Sequence, residues 1–197
     1  MEQKIKLPKS IDELNLRTYL QFFDVLKDMD GEDKESINNT LRTYKLMEIL
    51  TGSTEEEIDN LKISESNELA EKIMEIIKDF KGFDESQMNN FEIDGVNYVG
   101  VDMNGLDNGE YISLNMLKEQ YGNSVNELIP RMLAILIRPG KKEYDFERKE
   151  EVWSVEKFNK KDIANLELRK EIFLDKAKAK DVIPIVNFFL SGMQKLA

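Results

Sequence analysis

Histidine and cysteine are both missing from these 197 residues, and tryptophan occurs once. Without an imidazole or a thiol there can be no Ser-His-Asp triad, cysteine nucleophile, Cys/His zinc site or disulfide framework. Any chemistry would rest on carboxylates, Lys, Tyr or Ser/Thr, or on a partner. No run approaches the roughly 18 apolar residues of a membrane span, and the first 14 residues lack the apolar stretch of a signal peptide. Synthesis in a cytosol-like environment and no membrane partner are therefore expected. Charge of one sign is also short, with 28 Lys+Arg against 39 Asp+Glu and a net charge of -11. That balance disfavours sequence-independent binding of nucleic acid, which recruits clustered Lys/Arg through counterion release.

What is present is enough for a core. Apolar residues make up 41% of the chain, ten Phe and six Tyr among them, while 34% charged residues imply a heavily solvated surface. One domain or two small ones are expected. The charge is uneven: residues 1–140 carry about -13, and residues 141–180 about +2 with acids interleaved, a mixed-charge region rather than a basic stripe.

Residues 4–7, ahead of Pro8, alternate and predict a short strand or arm. Ser10 to Glu13 reads as a capping box that opens a helix, whose stripe runs through Leu14, Leu16, Tyr19, Leu20, Phe22, Phe23 and Leu26. A second helix is predicted over 35–50 with Gly52 past its end, and a short one opens at Ser53 to Glu57, where acids suit the helix dipole. A fourth is predicted from Ser64 or Ser66 to Phe80. Then the period changes. Phe91 to Tyr98 places Asp94-Gly95 as a type I′ turn, pairing Ile93 with Val96 and Phe91 with Tyr98 on one sheet face. Asn104-Gly105 and Asn108-Gly109 predict a loop, followed by a short helix over 112–121. Ser124 to Glu127 reads as another capping box, opening a helix so apolar from Leu128 to Ile137 that it should be central. Pro130 starts or kinks it and Pro139 ends it. Residues 140–152 are expected to be a charged mobile loop, followed by helices over 162–178 and from Asp181 onward. The expected fold class is mainly α, an α+β minority, with a bundle-like helical unit at 1–82 and one small antiparallel hairpin. The hairpin and the central helix occupy 83–140, and 141–197 form a charged segment with C-terminal helices, a candidate partner-binding extension.

No constellation of chemistry stands out. An EF-hand loop with Gly31 at its sixth position would run from Leu26 to Ile37, and one with Gly105 would begin at Gly100; these ends lack the required carboxylates. Pro139 to Lys142 lacks the glycine spacing and Ser/Thr of a P-loop. No catalytic residue, metal site or cofactor site is assigned. Trp153 sits in the charged segment as a partner anchor or a local cap on the core, with Phe158 nearby. Phe188 and Phe189 are core or docking surface, core being favoured.

The order of several segments resembles small virion-associated or tail-assembly proteins of tailed bacteriophages, notably phages of Bacteroidetes hosts including the crAss-like group. The segments are Leu7 to Tyr19, Ile49 to Glu57, Phe91 to Tyr98, Asn108 to Leu114, Leu133 to Pro139 and Asn187 to Leu190. The resemblance implies no catalysis. It implies a cargo or ring protein of the head-to-tail passage, present in multiple copies and bound to portal, ring or tail subunits. The alternative it leaves open is a soluble tail-assembly chaperone that is not retained in the virion. An enzyme using carboxylates and a divalent metal is the rival class. Trp153, Phe158, Phe188 and Phe189 are the candidate partner-interface residues.

Overall fold

The computed structural model describes residues 6–29, 36–82, 90–101, 105–122 and 124–195. The chain divides into two units, residues 1–82 and 83–197. Among the described residues the fold is mainly α, with eight α-helices and a small four-stranded antiparallel sheet.

The first unit is helical. A 3-10 turn (Ile11–Glu13) precedes α1 (Leu16–Met29), α2 (Ser36–Thr51), α3 (Glu55–Asp59) and α4 (Ile63–Asp79). The expected box at Ser10 does not form: its side chain makes no cap, and the Glu13 amide bonds the Ser10 carbonyl instead. The true cap of α1 is Asn15, whose Oδ1 accepts the Thr18 amide at 2.8 Å. The α1 stripe then buries Leu16, Tyr19, Leu20 and Phe22. α2 ends as its sequence requires, since Gly52 takes φ +69°, which a side chain would oppose, and its amide reaches the Glu48 carbonyl at 2.9 Å. Thr54 caps α3 in a full box with Glu57, whose carboxylate accepts the Thr54 amide at 2.8 Å. Of the strand expected at 4–7, Lys4 and Ile5 lie outside the described residues, and Lys6 and Leu7 are in no regular element.

The second unit holds the sheet. β1 (Phe91–Ile93) and β2 (Val96–Gly100) pair in the expected register, Phe91 opposite Tyr98 and Ile93 opposite Val96. Asp94 and Gly95 take φ of 52° and 78°, the type I′ signature. Phe91 and Tyr98 stack at 5.8 Å and receive the edge of Phe173.

Two expectations for this unit are corrected. The loop placed at Asn108-Gly109 is the first turn of α5 (Asn108–Tyr121), because Asp107 and Glu110 form a reciprocal capping box around it. Asn104, in the earlier part of that expected loop, lies outside the described residues. The larger correction concerns residues 137–155. α6 (Val125–Leu136) stops three residues before Pro139, where Ile137 turns extended with φ -119° and ψ 121°. β3 (Ile137–Asp145) and β4 (Glu150–Val155) then replace the expected mobile loop, so the sheet has two hairpins in the order β1-β2-β3-β4. β3 crosses residue 140, which joins 83–140 and 141–197 in a single sheet. Pro139 fits a strand because its fixed φ is extended-compatible, and only its missing amide is lost to the ladder.

α6 is the hub. It contacts α5, α7 (Ile163–Lys176), α8 (Ala179–Lys195) and β3, and buries Leu128, Ile129, Met132, Leu133, Ile135 and Leu136. Pro130 lies inside it and Pro184 inside α8. Ser124 starts α6 without the expected box, since Glu127 pairs with Arg131 one turn on.

Candidate functional site

β3 is longer than its partner β2 can use. Ile137 to Pro139 pair with β2, whereas Gly140 to Asp145 pair with β4 alone on the other side. The outer part of the hairpin is thus a two-stranded ribbon. Its turn, 146–149, is built by Asp145, whose Oδ1 accepts the amides of Glu147 at 2.9 Å and Arg148 at 3.1 Å, and by Lys149 at φ 57°. This geometry puts Phe146 at the tip with 84% of its surface exposed, its ring 5.1 Å from that of Tyr144, itself 52% exposed. Burying the Phe146 ring against a partner would release about 1.5–3 kcal/mol, and the half-exposed Tyr144 ring less.

The root of the ribbon is held by two buried arginines. Arg138 Nη2 lies 2.8 Å from Glu110 Oε1, with both side chains at least nine-tenths buried. The contact is one of charge, lacking the alignment of a hydrogen bond. Glu110 is fixed in turn by the Asp107 amide at 2.7 Å. Burial pushes the Arg138 guanidinium below its usual range, and the Glu110 carboxylate pulls it back. Arg169 of α7 donates to the Ala134 carbonyl at 3.0 Å and to Glu156, just past β4, at 3.0 Å. The Ala134 carbonyl is in the last turn of α6, where the helix cannot satisfy its own acceptors. The Glu156 amide closes the root on the Pro139 carbonyl at 2.9 Å. Gly140 is required there: a Cβ at that position would stand 2.6 Å from Val99 Cγ2.

The four aromatic residues singled out from the sequence are dispersed. Trp153 is on β4, half-buried, with Lys142 Nζ 5.8 Å from its ring centroid. Phe158 is half-buried in the segment after β4. Phe188 on α8 is 41% exposed, whereas its neighbour Phe189 is fully buried and belongs to the core, which removes it as an interface residue. Tyr144, Phe146 and the two arginine contacts were missed. Only part of this had a local signal: a D-x-x-E box at Asp107 to Glu110, and Arg138 as the lone charge closing an apolar run.

Other chemistry is sparse. Among the described residues no group of three acidic side chains could hold a metal ion, and no helix is long and apolar enough to cross a membrane. Within the first unit, a cleft of about 520 Å³ is lined by Lys9, Lys72, Glu75, Ile76 and Phe80 among others, an open mixture of charges with no buried polar group aimed into it. Burial raises the pKa of Asp181, against the opposing pull of Lys180 and Lys178, and burial also raises that of Tyr98, which lies among the charges of Arg169, Asp94, Glu156 and Lys176. Comparison with family models, curated proteins and solved structures gives no match in any of the three.

Proposed function

We propose that the chain is a non-catalytic assembly protein that binds other proteins through the aromatic tip of the β3–β4 ribbon. The observation that carries this reading is Phe146, the most exposed large apolar side chain described, on a ribbon whose root is clamped by Arg138 and Arg169. A pre-ordered arm loses little entropy on docking, so a small aromatic contact can suffice. Trp153 and Lys142 lie on the same ribbon and extend the contact towards the root.

The setting is the head-to-tail region of a tailed-phage virion, with portal, ring or tail subunits as partners and the protein present in multiple copies. That part rests on the ordered sequence resemblance to virion-associated and tail-assembly proteins. The test combines mass spectrometry of purified virions with a Tyr144→Ser/Phe146→Ser variant supplied during infection. Wild-type protein is expected in stoichiometric amounts in the virion, and the variant is expected to fold normally yet be left behind. Wild-type protein absent from virions would overturn the virion assignment and favour a transient chaperone. A variant that is incorporated as well as wild type would remove the ribbon tip from the binding role.

A further inference from the structure

We infer that the outer edge of β4 is a seam between two copies of this chain, joined as antiparallel strands about a two-fold axis. β4 ends the strand order, so among the described residues no strand pairs with its outer side. Edge strands are normally guarded by charged side chains, Lys above all, by Pro, by a bulge or by a covering element. Within Glu-Glu-Val-Trp-Ser-Val there is neither Lys nor Pro, the charges are confined to Glu150 and Glu151 at one end, and Val152, Trp153 and Val155 at the other are only half-buried. Such an edge is a template for one more strand.

The charge pattern selects a second copy as that strand. A two-fold axis normal to the sheet keeps each side chain on its own face, so opposed residues must differ by an even number. Centred on Val152, the pairing sets Val152 against itself, Glu151 against the partner's Trp153 and Glu150 against the partner's Ser154. Lys142 adds to this match. It lies 3.4 Å from Glu151 and 5.8 Å from the Trp153 ring of its own chain, and Trp153 is the residue that meets the partner's Glu151. Each carboxylate is therefore opposed by a neutral or basic group. The neighbouring registers lack this property: centring on Glu151 opposes Glu151 to itself, and centring on Trp153 opposes Glu150 to the partner's Glu156. Parallel in-register stacking sets both glutamates against their own copies. The inference does not rest on the phage setting or on the tip rings Tyr144 and Phe146, although it shares Trp153 and Lys142 with that reading.

The absence of cysteine makes the test clean, because one introduced thiol is the only one. Light scattering of the full chain is expected to return twice the 23.0 kDa chain mass. Val152→Cys is expected to form a covalent dimer on mild oxidation. Glu150→Cys and Ser154→Cys are each expected to stay uncross-linked alone and to cross-link when mixed. Val152→Lys places two ammonium groups at the axis and is expected to weaken the dimer by roughly tenfold or more, with an unchanged far-UV circular dichroism spectrum. A wild-type chain that stays monomeric at the highest concentration reached overturns the inference. So does a dimer in which Val152→Cys fails to cross-link, a readout that holds even if Val152→Lys proves poorly folded.

Discussion

α4 is 17 residues long and completely buries one side chain, Ile73, whereas α6 is 12 residues long and buries eight of its residues. The two units of the chain differ in the same way. Residues 6–82 are assembled from amphipathic helices whose ends are set by local devices: Asn15, the Thr54–Glu57 box and Gly52. Residues 90–195 are assembled around one helix that three other helices and a strand must cover. The first unit sets its helix ends by contacts a few residues apart and packs α1 on α2 and α2 on α4. The second draws its order from contacts that join distant segments, such as Arg169 to Ala134 and Phe173 to Tyr98. Trp153 lies in the second unit, so its fluorescence follows that unit while far-UV circular dichroism follows both. Substitutions that strike one unit at a time therefore show whether local and long-range order fail separately.

The largest effect is expected from Glu110→Ala, which leaves Arg138 buried without a counter-charge and should cost about 3–5 kcal/mol in urea unfolding followed by Trp153 fluorescence. The double variant Glu110→Leu/Arg138→Met is expected to recover most of that loss, since a well-packed apolar pair has no charge to desolvate. If the single variant is neutral, the buried pair does not hold the ribbon root. Next is Gly140→Ala, whose new methyl would meet Val99 Cγ2 at 2.6 Å. Overpacking of this kind costs about 1–3 kcal/mol, and combining it with Val99→Ala should restore much of the difference in the same assay.

In the first unit, Thr54→Ala removes the acceptor of the Glu57 amide and is expected to cost about 1 kcal/mol. The loss should appear in the dichroism melt while the Trp153 fluorescence melt stays in place. Fluorescence moving by the same amount would mean that the units unfold as one. The smallest effect at neutral pH concerns Tyr19, whose phenol burial pushes up to about 12 from an ordinary 10.0. The unfolded chain ionises first, so this contribution is fully present below pH 10 and is lost as pH rises towards 12. Tyr19→Phe is expected to flatten that alkaline loss of ellipticity and to leave the melt at pH 7 nearly unchanged.

Where local chemistry was decisive, the residues alone foretold the structure. Asp94-Gly95 specified a turn with two positive φ values and so the register of β1 on β2. Gly52 specified the end of α2, and the all-round apolar run of α6 specified its place at the centre. Where local signals competed, tertiary contacts chose between them. Ser10 and Ser124 each looked like the start of a capping box, but Asn15 capped the helix in one case and Arg131 drew Glu127 away in the other.

The ribbon was hidden for a related reason. Residues 140–152 carry alternating but mostly charged side chains, so hydropathy shows no buried face, and their strand geometry depends on pairing with one another rather than on burial. The lone apolar tip at Phe146 could not be told from a core residue by composition. Its exposure follows from where the Asp145 turn leaves it.

Residue type and spacings of a few residues were enough for the helix-rich class, the first hairpin and its register, the central helix and the unfitness for histidine or thiol chemistry. Tertiary packing was needed to carry α6 directly into a strand, to give Arg138 and Arg169 their buried partners and to place Phe146 at a projecting tip. The Arg169 partnerships join groups 13 to 35 residues apart in the chain, Glu156 and Ala134, and no local pattern encodes which distant acceptor a buried arginine must reach.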